Sequence, residues 1–100
     1  MRLSEFEIES IKSLAGRHFG TGVQVFLFGS RTNNQKRGGD IDLFIRNPNI
    51  EHLKIRTKID FIIELIQLIG EQKIDVVLDN PELKNSMLFR IINQTGIQLC

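Results

Sequence analysis

The chain has 100 residues and a mass of 11.5 kDa, enough for one domain over residues 1–100 and little more. Apolar residues at 41% and charged residues at 25% match ordinary globular usage, and 13 Lys+Arg against 12 Asp+Glu leave a net charge of +1; disorder, fibrous repeats and a polybasic nucleic-acid binder are excluded. Cys100 is the only cysteine, which excludes a disulfide framework or cysteine zinc site, and with neither a signal-peptide layout nor an apolar run near the roughly 20 residues of a membrane span a cytoplasmic protein is expected.

Ser4-Glu5-Phe6-Glu7 has the spacing of a capping box, and Ile8, Ile11, Leu14, Ala15 and Phe19 follow at helical intervals. The pattern predicts a first helix over residues 4–19, stopped by Gly20 and Gly22. Val23–Phe28 is β-branched and aromatic, too short for a helix, and predicts a buried strand ending at Gly29. Residues 30–39, SRTNNQKRGG, read as a polar loop with room for a helical turn after Ser30. Asp40–Ile45 alternates cleanly and predicts a second strand. Beyond the Asn47-Pro48-Asn49 break, a long helix is predicted over about residues 50–69, ending at Gly70. Lys73–Leu78 predicts a third strand. Asn80-Pro81 opens a last helix carrying Leu83, Met87, Leu88, Ile91 and Ile92, and residues 96–100 can add a short strand.

The order α-β-turn-β-α-β-α predicts an α/β domain (α+β by some schemes) with a small mixed sheet of three or four strands covered by helices. The second and third strands flank a helix and should be parallel through a right-handed crossover. The first two, joined by about ten polar residues, can pair antiparallel. That topology brings three places to one edge of the sheet: Gly29-Ser30, Asp40 with Asp42, and Asp75.

Asp40 and Asp42 share a strand face, with Cα atoms about 6.5–7 Å apart. Aspartate is disfavoured in strands, so a pair beside Ile41, Leu43 and Ile45, with Asp75 brought alongside, is a poor choice for stability alone. Three close carboxylates repel unless a cation neutralises them, and magnesium suits oxygen ligands of this kind. Two such ions about 3.5–4 Å apart can activate an attacking oxygen and stabilise a leaving pyrophosphate. Gly29 and Ser30 would let backbone amides approach a phosphate. Arg31, Lys36 and Arg37 add positive charge in a window free of acids until Asp40.

Gly29-Ser30, nine intervening residues, Asp40-Ile41-Asp42-Leu43, and Asp75 on a later strand resemble the nucleotidyltransferase fold of the DNA polymerase β superfamily. Within it, the chain is most similar to the minimal nucleotidyltransferases paired with HEPN-domain toxins in toxin–antitoxin systems. The resemblance implies that Asp40 and Asp42 ligate magnesium and that Asp75 is the third carboxylate, with the role of acceptor base open to it. It implies that Gly29 and Ser30 hold the β- and γ-phosphates of ATP, with Arg31 assisting at a less defining position. It further implies transfer of AMP to a tyrosine of the toxin. Gly38-Gly39 stands where many relatives carry a serine directly before the first aspartate.

Plainer readings compete at several positions. The aspartates could be solvated strand starts, Ser30 a simple cap, and Arg31, Lys36 and Arg37 an ordinary loop. His18 and His52 lack ligand spacing and read as packing or surface residues, and Cys100 as incidental. The long helix carries Ile55, Ile59, Ile62, Ile63, Ile66 and Ile69, extended by Phe61, Leu65 and Leu68, an arc wider than a one-faced helix needs. It is either buried between sheet and helix or in part a contact surface for a partner or a second copy. Two other functions stand beside AMP transfer to a toxin: an antitoxin that neutralises by binding alone, and modification of a small molecule. With no acceptor-binding domain in these residues, the acceptor is expected on another protein.

Overall fold

The structure, a computed structural model, describes residues 3–28 and 41–100. In chain order the elements are α1 (Glu5–Phe19), β1 (Gln24–Phe28), β2 (Ile41–Arg46), a 3-10 turn (Ile50–His52), α2 (Ile55–Ile69), β3 (Ile74–Leu78), a second 3-10 turn (Pro81–Asn85), α3 (Met87–Thr95) and β4 (Ile97–Gln98). The four strands form one mixed sheet in the order β3-β2-β1-β4.

The capping box at Ser4 is made in full: Ser4 Oγ accepts from Glu7 N at 3.1 Å, and Glu7 Oε1 accepts from Ser4 N at 2.9 Å. Two of the helix's orphan donors are thereby satisfied reciprocally. Ile11, Leu14, Ala15 and Phe19 are buried along one face, the i, i+3, i+4 and i+8 spacing of a helix laid on a core. Gly20 ends α1 with φ +86°, a conformation that costs a residue with a Cβ.

β1 pairs antiparallel with β2 and with β4, while β2 pairs parallel with β3. The long polar connection does permit the antiparallel pair, and the crossover through α2 delivers the parallel one. Strand alternation divides the sheet into two faces. Val25, Leu27, Ile41, Leu43, Ile45, Ile74 and Val76 pack with Phe19 of α1 and with Phe61 and Leu65 of α2. Phe28 and Phe44 pack with Ile92 of α3 on the opposite face, joined by Phe26, Val77 and Phe89.

Two predicted helices differ in their starts. The helix expected from about residue 50 begins at Ile55. Asn49 Oδ1 instead accepts from Glu51 N at 3.2 Å, closing a separate 3-10 turn. The chain then extends through Lys54 (φ −109°, ψ 149°) before α2 begins. The last helix divides in two: Asn80 caps only the 3-10 turn, through Oδ1 to Glu82 N at 2.9 Å. Ser86 is extended and caps α3 anew, its Oγ accepting from Phe89 N at 3.1 Å. Leu83 therefore belongs to the turn and Met87 to the helix.

Burial accounts for only part of the wide apolar arc of α2. Phe61 and Leu65 are fully buried, whereas Ile55, Ile59, Ile63 and Leu68 are exposed.

Candidate active site

β2 and β3 run in parallel with Asp42 as the Cα partner of Asp75. Neighbouring strands lie about 4.7–4.9 Å apart, so the two aspartates stand side by side on adjacent backbones. Both fall on the sheet face that carries Phe44 and Val77, since alternate residues share a face. On the other side of β2, Asp42 faces Phe28, the last residue of β1. The end of β1 and the starts of β2 and β3 thus meet at one edge of the sheet, as the topology predicts. Asp75 is exposed and Asp42 half-buried.

Gly29, Ser30, Arg31, Lys36, Arg37, Gly38, Gly39 and Asp40 lie outside the described residues, as does the expected turn after Ser30. Among the described residues no group of three or more metal-ligating side chains comes together. Asp42 and Asp75 are two of the three carboxylates that the magnesium reading needs. They are hard oxygen donors on adjacent strands, the donor chemistry that magnesium accepts.

Two further features of this face escape a reading by motif. Lys73, directly before β3, brings a cation to the same edge, where its carbonyl oxygen accepts from Ile41 N at 3.0 Å. Its signal was its position two residues before Asp75. At the far end of the same face, Arg46 stacks its guanidinium 5.5 Å from the Phe26 ring centroid, 5.4 Å from Phe44 and 5.8 Å from Phe89. Arg46 Nε also lies 3.6 Å from Asp79 Oδ2. The Phe44-Ile45-Arg46 alternation would have put ring and cation on one face; the third ring comes from α3, which no local pattern reveals. This cluster closes the end of the sheet remote from Asp42 and Asp75.

Both histidines pack against neighbouring residues. His18 Nε2 lies 3.1 Å from Glu64 Oε1, and its ring meets Phe61 edge-on. Arg17 pairs with the other oxygen of Glu64. His52 lies against Gly20, where a Cβ would come within 3.3 Å of its ring. An open depression lined by His18, Asp60, Ile63, Glu64 and Gln67 lies between α1 and α2, on the other side of the sheet from the aspartates. Burial pushes the Cys100 thiol above its ordinary pKa, and its carbonyl oxygen accepts from Val25 N at 3.1 Å.

A mixed four-stranded sheet with helices on both faces and carboxylates in register at the strand starts defines a nucleotidyltransferase-type α/β domain. The sequence profile described as Polymerase beta, Nucleotidyltransferase matches residues 9–100, and the chain belongs to that family. Comparison with curated proteins finds no match. Two solved structures share the fold. One is a toxin–antitoxin structure with AMP-PNP, with a TM-score of 0.70 and 21% identity over 93% of this chain and 72% of that one. The other is a mutant of the toxin–antitoxin pair MntA-HpeT in which two aspartates, two positions apart, are replaced by glutamate. Its TM-score is 0.69, with 20% identity over 93% of this chain and 71% of that one.

Proposed function

We propose that this protein is a magnesium-dependent nucleotidyltransferase that moves AMP from ATP to a tyrosine hydroxyl of a HEPN-domain toxin and so acts as its antitoxin. The observation that carries the reading is the in-register pairing of Asp42 with Asp75, on a chain of the nucleotidyltransferase family. The similar toxin–antitoxin structures add support, one with AMP-PNP and one altered at two aspartates two positions apart, the spacing of Asp40 and Asp42 here.

In this reading the acceptor oxygen attacks the α-phosphorus in line, its bond to that phosphorus forms as the bond to the bridging oxygen breaks, and pyrophosphate leaves. Asp42 and Asp75, with Asp40, would hold the magnesium, which when bound neutralises the phosphate charge. Gly29 and Ser30 would offer backbone and hydroxyl donors to the β- and γ-phosphates, with Arg31 nearby. Asp75, the exposed member of the pair, is open to the acceptor and can take its proton. The chain's contribution is positioning and fixed electrostatics, which carry most of the catalysis in transfers of this kind.

The test is incubation with the cognate toxin, magnesium and ATP labelled in the α-phosphate. Label on the toxin is expected, reduced at least about a hundredfold by Asp42→Asn. Absence of label, with the toxin still neutralised by the Asp42→Asn protein, would favour the second reading, an antitoxin that works by binding alone. The exposed apolar residues of α2 are the observation that keeps this reading in play.

A further inference from the structure

Ile55, Ile59 and Ile63 are 72%, 46% and 52% exposed, and they form one ridge at i, i+4 and i+8 along α2. Scattered apolar side chains on a surface need no explanation, but a contiguous ridge does. The sheet does not require it: Phe61 and Leu65 already fill the core beneath α2, and the ridge lies about 140° round the helix from them. Ile62 and Ile66, partly buried, join the ridge to the core, so the patch is continuous with the interior.

Its charged border is self-complementary. Arg56 and Asp60 are one turn apart on the same flank of the ridge, and neither forms an ion pair with any described residue. Glu64, the next anion along, is already held by Arg17 and His18, leaving Asp60 as the anion on that border.

We infer that this face of α2 is a self-association surface on which a second copy of the chain packs antiparallel across a two-fold axis at Ile59. A two-fold makes each contact twice and sets like flank against like flank with the direction reversed. Ile59 then meets its own counterpart, while Ile55 of each copy packs towards Ile63 of the other. Arg56 of each copy comes within reach of the other's Asp60. Ridges spaced by four residues interdigitate in the commonest class of helix packing. The surface lies on the opposite side of the sheet from Asp42 and Asp75, so the inference does not rest on the proposed transferase activity.

Light scattering coupled to gel filtration, on the full chain at about 100 μM, tests it. The expected mass is twice the monomer's 11.5 kDa. Ile59→Glu is expected to give the monomer mass with an unchanged circular-dichroism spectrum. Arg56→Asp should weaken the dimer about tenfold, and the Arg56→Asp/Asp60→Arg double variant should recover it, because two surface ion pairs are reversed and then restored. A monomeric wild type overturns the inference, as does a dimer that Ile59→Glu leaves intact. So does a double variant no tighter than Arg56→Asp alone. Loss of the toxin complex on Ile59→Glu, with the wild type itself monomeric, assigns the face to the toxin and overturns it equally.

Discussion

Asn47 spends its whole side-chain amide on joining two distant parts of the chain. Its Nδ2 donates to the Phe19 carbonyl at 2.8 Å and to the Thr21 carbonyl at 3.2 Å, while its Oδ1 accepts from Asn49 N at 2.9 Å. Phe19 is the last residue of α1, where carbonyls have no partner inside the helix, and Asn47 is itself only 4% exposed. Asn47→Ala should therefore lower the unfolding free energy by about 1–3 kcal/mol, since the Phe19 carbonyl would lose its donor in a buried position. Urea denaturation measures it, and a change under 0.5 kcal/mol would mean that water replaces the amide. In the sequence, Asn47 beside Pro48 reads as a chain break, which is correct locally. Nothing in the spacing reveals its bonds to Phe19 and Thr21, because they cross from one element to another. Asp42 and Asp75 were legible for the opposite reason: alternation fixes the face of each, and the parallel crossover fixes their neighbourhood.

Helix boundaries were legible where a side chain caps within three residues and misleading where two caps compete. Ser4 and Glu7 sit alone at the start of α1, so the expected start at residue 4 differs from the observed Glu5 by the cap itself. Asn80 and Ser86 both have capping chemistry, and periodicity alone does not say that the chain restarts between them. Ser86 holds the junction twice, its Oγ donating to the Leu83 carbonyl at 2.7 Å and accepting from Phe89 N at 3.1 Å. Ser86→Ala should destabilise the protein by about 0.5–2 kcal/mol, and Ser86→Gly by only a few tenths if capping of α3 is the larger effect. Chemical denaturation of both variants separates the two contributions: equal losses would point to the Leu83 bond instead. The end of α3 matters beyond the helix, because β4 begins two residues later and pairs with β1, the strand whose Phe28 packs with Ile92.

At the scale of the molecule, two cores share one sheet, and the proposed site lies on the less heavily covered face. α1 and α2 together cover one side, whereas the 9-residue α3 and a 3-10 turn serve the other. That asymmetry leaves Asp75 exposed at the strand starts while Phe44 and Ile92 stay buried beside it. The parallel β2–β3 pair and the antiparallel β1–β2 pair follow from the kind and length of their connections, so they were legible in the sequence; the place of β4 beside β1 was not, nor was the division of α2 between core and surface, because an apolar arc does not say which part is buried. A site assembled from three strand ends should be tightened by its ligand, which contacts segments far apart in sequence. Magnesium with a non-hydrolysable ATP analogue at 100 times its dissociation constant should then stabilise the fold by about 2.7 kcal/mol by mass action. For a domain of 100 residues this corresponds to a rise in Tm of roughly 10–20 °C, at about 4–8 °C per kcal/mol. Differential scanning fluorimetry measures the shift, with each protein compared with its own ligand-free melt. Asp42→Asn and Asp75→Asn should each abolish most of it, and the analogue without magnesium should give a smaller rise. No shift at millimolar concentrations of both ligands would remove the nucleotide from this edge of the sheet, whatever the outcome of the self-association test on α2.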